Sequence, residues 1–411
     1  MNAVKIASVA EIRAAFPALG REHAGRAVAY FDGAGGTQVP TPVVEAISDY
    51  LLNHNANAHW AYPTSRETDE ITADSRRALA DFLNAAPDEI VFGQNMTSLT
   101  FHLARALGRD FAAGDEVIVT ELDHHANVDT WRSLERERGI RLRVAPMDTA
   151  SGTLDAAEIE RLFGAKTRLV AIGAASNALG TVTDVAAVCR MARERGALSF
   201  VDAVHFAAHE LVDVQSFGCD FLACSAYKFY GPHIGILYGR RELLGAIDFP
   251  KLRPAPDAAP ERAETGTQSF EAIAGAAAAV DFLASLAAGA SRREKLARAF
   301  AGIHERKRHL FAILWDGLTG TSGVTVYGPG PEARRTPTVA FTVGDLPARA
   351  VSEKLAERGI FASSGNFYAL TVVEKLGLAE RGLVRAGCAC YTTREEVERL
   401  VEAVTEIAAK A

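Results

Sequence analysis

The chain has 411 residues, 48% hydrophobic and 23% charged, with 44 Lys and Arg against 51 Asp and Glu for a net charge of −7. This is the composition of a folded globular protein, and its acidic balance speaks against a nucleic-acid binder, whose contact face is basic. At ~150 residues per domain the length allows two or three domains, each with its own core.

Met1–Arg21 carries Lys5, Glu11, Arg13 and Arg21 and lacks the compact apolar block of a signal peptide. The five cysteines are an odd count without disulfide or zinc spacing, so we expect no metal and a reduced, cytoplasmic setting. From Glu89 onward, short β-branched runs alternate with helical patterns, which predicts an α/β layer architecture. Glu89–Phe92 reads as a strand, and Leu99, Leu103 and Leu107 mark a helix after it. Strands follow at Glu116–Thr120, Arg141–Pro146, Arg168–Ile172 and Leu198–Asp202, separated by helices whose apolar stripes run through Trp131, Ile159 and Val188. Two of these helices end in Arg-Glu-Arg-Gly, with Gly139 and Gly196 placed as left-handed caps. Phe221–Ser225 and Ile234–Tyr238 are further strands with no helix between them. The expected product is a large, mostly parallel sheet with helices on both faces.

Pro250–Thr267 is proline-rich without an apolar period, a long loop of the kind that usually serves function. Ala272–Ala290 carries Asp281 in its middle and reads as a buried helix, since a membrane span needs ~20 apolar residues with few charges. A smaller α/β pattern closes the chain: strand Thr338–Val343, helix Ala348–Arg358, strand Val384–Tyr391 and a last helix opening on the capping box Thr393–Glu396. The domain reading is a large unit over 31–267 and a small α/β unit from 1–30 and 268–411 with a long connecting helix.

Lys228 is the strongest chemical signal. It lies in the uncharged run Phe221-Leu-Ala-Cys-Ser-Ala-Tyr-Lys-Phe-Tyr-Gly-Pro, between two core strands. A lysine there must be paired, neutralised or used covalently, because a lone buried ammonium is costly; the alternative is a strand-end lysine reaching solvent. Asp202 closes the strand Leu198–Asp202, and carboxylates at the C-terminal ends of parallel strands face the ligand crevice of open α/β sheets. A turn or capping aspartate is the commoner use. Asn95-Met96-Thr97-Ser98 follows a strand and opens a helix, where free N–H groups and hydroxyls can hold a phosphate or simply cap the helix. Neither a Walker Gly-Lys pair nor G-x-G-x-x-G is present, which disfavours nucleoside triphosphates and nicotinamide-dependent dehydrogenases. Together the three signals suggest one ligand with a phosphate, a ring nitrogen needing an anion and a carbonyl needing a lysine. Pyridoxal 5'-phosphate meets all three.

Six stretches carry a resemblance: Tyr30-Phe-Asp-Gly-Ala-Gly, Glu121-Leu-Asp-His-His-Ala-Asn, Ser176-Asn-Ala-Leu-Gly, Val201-Asp-Ala-Val-His, the Lys228 run and Thr265-Gly-Thr. In that order the chain resembles the class V aminotransferase and cysteine desulfurase family of fold type I pyridoxal-phosphate enzymes over nearly its full length. The resemblance implies that Lys228 forms the Schiff base and shuttles the Cα proton, that Asp202 keeps the ring nitrogen protonated and that His124 stacks on the ring. It places Asn177 and His205 on the phenolic oxygen, His205 standing where the family usually carries Gln. Thr97, Ser225 and Tyr227 are implied to hold the phosphate, with Met96 and Ser98 beside them, and Tyr227 replaces a family histidine. Gly266 and Thr267 are implied to reach the phosphate of the neighbouring subunit, hence a homodimer with active sites at its interface. Arg385 matches the arginine that pairs with the substrate carboxylate, and Ala34, Asn366, Tyr368 and His59 are placed around the substrate.

The departures shape the functional expectation. Ser363-Ser-Gly-Asn-Phe-Tyr368 stands where desulfurases carry Arg-x-Gly-His-His-Cys, so Tyr368 occupies the nucleophile position and Ser363 that of the arginine. A phenol cannot take up sulfur as a persulfide. Cys388 and Cys390, just after Arg385, read as small buried hydrophobes. We therefore expect a lyase that cleaves the Cβ–S bond of a cysteine-derived amino acid by β-elimination, without a sulfur-acceptor protein. The alternatives are an aminotransferase or amino-acid epimerase of class V, or a non-catalytic partner protein of the same fold.

Overall fold

The computed structural model describes residues 5–411; the first four positions, part of both the leader reading and the small unit, lie outside the described residues. Seven strands form the main sheet: β1 (Ile90–Gly93), β2 (Glu116–Thr120), β3 (Arg141–Ala145), β4 (Thr167–Gly173), β5 (Leu198–Asp202), β6 (Phe221–Ser225) and β7 (Gly235–Gly239). Their spatial order is β1-β7-β6-β5-β4-β2-β3. Only β7 runs antiparallel to its neighbours. Between β6 and β7 there is one short turn, Ala226–Lys228, and a parallel return would need a crossover of about a dozen residues or more.

Alternate side chains enter two different cores. Val91, Val119, Leu169, Phe200, Phe221 and Leu237 pack on one face, while Ile90, Ile118, Val170, Val201, Leu222 and Ile236 pack on the other. That is the period-two consequence of strand geometry, and because both faces are covered the central strands are apolar throughout. After β1, helix α1 (Met96–Gly108) starts on a capping box: Asn95 Oδ1 accepts the Ser98 N–H at 2.9 Å and Ser98 Oγ accepts the Asn95 N–H at 3.2 Å. Helix α2 (Asp129–Arg138) ends on Gly139 at φ +71°, and Gly196, after α3 (Val185–Glu194), has φ +69°, the left-handed conformation expected for both.

A second, antiparallel sheet is built from β8 (Val324–Tyr327), β9 (Thr338–Val343), β10 (Ser363–Gly365) and β11 (Leu383–Gly387), in the order β8-β9-β11-β10. Strand β11 stops short of the expected Tyr391. The Ala389 N–H donates to Thr392 Oγ1 and the Cys390 N–H to the Tyr230 hydroxyl, which turns the chain out of the ladder. Helix α4 (Phe270–Ser285), grouped by sequence with the small unit, packs on helices Thr41–Asp49 and Pro63–Leu83 and joins the main core through Ile273, Val280 and Leu283. Its small residues permit this: a Cβ on Gly275 would lie 2.7 Å from Ile47. The long helix α5 (Arg292–Thr319) then reaches the second sheet, where Leu310 and Leu314 enter its core.

Candidate active site

A cavity of about 960 Å³ opens at the C-terminal edge of the main sheet. Lys228, 6% exposed, ends the turn after β6 and donates through Nζ to the Ala34 carbonyl. Burial, reinforced by Arg385, lowers its ammonium to about 7 against the pull of Asp202 and Asp32. Asp202 ends the neighbouring parallel strand β5, and its Oδ1 accepts the Val204 N–H at 2.9 Å. Burial raises this carboxyl to about 6, opposed by the Val204 N–H and by Lys228.

His124 follows β2. Its Nδ1 accepts the Ala126 N–H at 3.0 Å, and its ring lies 5.5 Å from that of Tyr368 at 33°. Burial, then the charge of Lys228, lowers it to about 4, so the imidazole is neutral at physiological pH. Asn177 Nδ2 donates to the Phe367 carbonyl at 2.8 Å, whereas its Oδ1 is buried without a partner. His205 places Nε2 3.0 Å from Thr336 Oγ1 and 3.2 Å from Thr338 Oγ1, and its Nδ1 is likewise buried and unpartnered. Burial holds His205 far below the ordinary imidazole range.

At the other end of the cavity the Met96 N–H donates to Ser225 Oγ at 3.0 Å, Thr97 is exposed on the first turn of α1, and Tyr227 stacks on His233 at 4.9 Å and 13°. The Ser98 hydroxyl is engaged in the capping box, which takes it away from the cavity wall. Arg385, 4% exposed on β11, lies behind that wall: one nitrogen donates to the Asn177 carbonyl at 2.8 Å, two others to Ser363 Oγ at 3.2 and 3.3 Å, and the Phe367 ring covers it at 4.1 Å. Asn366 is exposed and accepts the Tyr368 N–H at 3.0 Å. Tyr368 is 73% exposed, at φ +58°. His59, Gly266 and Thr267 are not brought here within the single chain; they line a second cavity of about 1380 Å³.

Two acids escaped the sequence reading. Asp123 lines the Lys228 cavity, accepts the Gly173 N–H at 2.6 Å and the Thr120 N–H at 3.1 Å, and is raised to about 7, chiefly by burial and also by Asp202. It follows a parallel strand as Asp202 does, so the same rule could have found it. Asp32 has a buried, unpartnered Oδ1 and is raised by burial; the stretch Tyr30-Phe-Asp-Gly-Ala-Gly contains it without marking it as a site residue.

The family model for aminotransferase class-V matches residues 29–400. The chain belongs to the class V aminotransferase family. It is 34% identical to a cysteine desulfurase of Pectobacterium carotovorum, covering 97% of this chain and 98% of that one, and 33% identical to a cysteine desulfurase of Dickeya dadantii, with 96% of each covered. Among solved structures it is similar to the apo cysteine desulfurase of Thermococcus onnurineus, with TM-score 0.88, 29% identity and all of both chains covered. A cysteine desulfurase from Escherichia coli superposes with TM-score 0.85 at 27% identity over 99% of each chain.

Class V aminotransferases are fold type I pyridoxal-phosphate enzymes, and this site suits the cofactor. The orphaned Asn177 and His205 atoms lack partners that a bound polar ring can provide, the buried Asp202 forms no ion pair among the described residues and feels Lys228 only through space, and neutral His124 can stack without electrostatic cost. Lys228, Asp202, His124, Asn177 and His205 would hold the ring, and Thr97, Ser225 and Tyr227 the phosphate. When bound, the cofactor supplies an electron sink for charge developing at a substrate Cα.

Proposed function

We propose that this class V family enzyme is a C–S lyase: it removes the Cα proton of a cysteine-derived amino acid and expels the sulfur substituent from Cβ, with no protein thiol taking part. The observation that carries the reading is the make-up of the cavity, which Lys228, Asp202, His124 and Tyr368 line without a cysteine among the described residues. All five cysteines are buried, and burial raises their thiols, the reverse of what a sulfur nucleophile needs. A lysine lowered to about 7 can take the Cα proton near neutral pH. Arg385 receives the substrate carboxylate once Ser363 yields its place, with Ala34, Asn366 and Tyr368 around the substrate.

In this reading 31–267 binds the cofactor and the small unit supplies Arg385 and Tyr368. A second copy brings His59, Gly266 and Thr267 to the site; their cavity is flanked by the exposed apolar side chains of Trp60, Tyr62 and Leu252, a surface that calls for cover. The unpaired cysteines suit a cytoplasmic enzyme, and among the described residues no helix is long and apolar enough to cross a membrane. No sulfur-acceptor protein is needed.

Incubation of the holoenzyme with S-alkyl cysteines tests the reaction. Pyruvate, ammonia and the free thiol in equal amounts are expected. An oxo acid that keeps its sulfur, with the cofactor left in its amine form, would establish a transaminase instead, and Cα inversion with no cleavage an epimerase. Substrate left unchanged, with Lys228→Ala as the reference, would point to the non-catalytic partner.

A further inference from the structure

Between the segment Phe206–Glu210 and helix α5 lies a separate cavity of about 360 Å³. Lys307 lines it, 2% exposed, with Nζ bonded only to the Ala208 carbonyl at 3.3 Å and to His209 Nδ1 at 3.1 Å. Burial holds His209 far below the ordinary imidazole range, so its ring is neutral, and neither bonded partner of Lys307 is a carboxylate. Burial lowers Lys307 to about 8 against the pull of Glu210, which leaves it a cation at neutral pH. Arg308 and Arg334 stand exposed at the rim, and neither forms an ion pair among the described residues.

Two carboxylates also line the cavity. Glu210 is tied to His304, and Glu332 is exposed. Arg335 spends its donors on the carbonyls of Leu179, Pro329, Thr336 and Thr338 and stacks on Phe311. Glu210 therefore acts on Lys307 only through space, Arg308 and Arg334 carry no ion pair among the described residues, and the cavity keeps a net positive lining around a buried ammonium that a bound anion would stabilise. Tetrahedral oxyanions are suited to guanidinium forks joined by an ammonium. We infer that this cavity is a binding site for a phosphate or sulfate group, free or carried on a small molecule, held by Lys307, Arg308 and Arg334. The site backs onto the catalytic cavity: the His209 ring meets that of His205 at 4.8 Å and 71°.

The test is calorimetric titration of the holoenzyme, whose own phosphate cradle is already filled, with inorganic phosphate at constant ionic strength. Saturable binding of one equivalent is expected, weakened about tenfold or more in Arg308→Gln and again in Arg334→Gln, since a charge-assisted hydrogen bond contributes that much. Both arginines are exposed, so the variants should keep the parent's melting temperature and cofactor absorbance. Glycerol phosphate binding more tightly than inorganic phosphate would identify a carried group, and weaker binding a free ion; both support the site. Absence of saturable binding, unchanged binding in the double variant, or release of the cofactor by phosphate would overturn it.

Discussion

Burial tunes Lys228 and Asp202 in opposite senses, and each shift has a measurable sign. A lysine lowered from 10.5 to about 7 is largely a neutral amine at physiological pH. Capture of pyridoxal phosphate by the cofactor-free protein requires that amine, so its rate is expected to rise to a plateau just above pH 7. Stopped-flow absorbance checks this; a rate still climbing near the ordinary lysine range of about 10 would show the amine to be solvated. Because the folded-state value lies below the unfolded one, the unfolded chain binds the extra proton, and this group adds stability as pH rises from about 7 to 10.5. Asp202 is raised from 3.8 to about 6, so it removes stability as pH rises through the window between those two values. Asp202→Asn should therefore stabilise the cofactor-free protein at alkaline pH by about 1–3 kcal/mol and bind the cofactor more weakly. Denaturant titrations on both sides of the window read the difference; a variant no more stable than its parent at alkaline pH contradicts it. Lys228 and Asp202 were legible because each stands against an apolar background in sequence. Asp32, Ser363 and Phe367 lie in stretches that the sequence singles out, but their convergence on Arg385 was not legible, because contacts far apart in the chain bring them together.

Elements converge on the site at two close approaches. A Cβ on Gly235 would lie 2.4 Å from the Asn95 backbone carbon, so β7 presses directly on the start of α1. Gly235→Ala is expected to displace that turn, cost about 1–3 kcal/mol and speed cofactor loss; a crystal structure with the turn unmoved, or unchanged cofactor retention, would contradict it. In the loop after β10, Phe367 and Tyr368 have φ of +56° and +58°, conformations that strain bulky residues. Tyr368→Gly should hold or raise the melting temperature by removing about 1 kcal/mol of strain. The same change should slow turnover, because His124 loses the ring beside it. A lower melting temperature would mean that the Tyr368 contacts outweigh the strain. Strand positions and helix caps followed from period and glycine placement. The end of β11 and the seat of α4 did not, since a tyrosine hydroxyl and neighbouring helices determine them.

At the scale of the whole molecule, the six stretches that carried the resemblance made the family legible, while assembly rests on surface. Trp60, Tyr62 and Leu252 lie exposed beside the cavity of His59, Gly266 and Thr267. Sedimentation equilibrium should find a homodimer, and Thr267→Arg should weaken it and release cofactor together; a monomer that retains cofactor would contradict the shared site. The most direct measurement concerns sulfur. Under turnover with cysteine, intact-protein mass spectrometry should show no sulfur added to any of the five cysteines, and the carbon product should be pyruvate. Alanine as the product, with a persulfide on the protein, would contradict a thiol-free lyase.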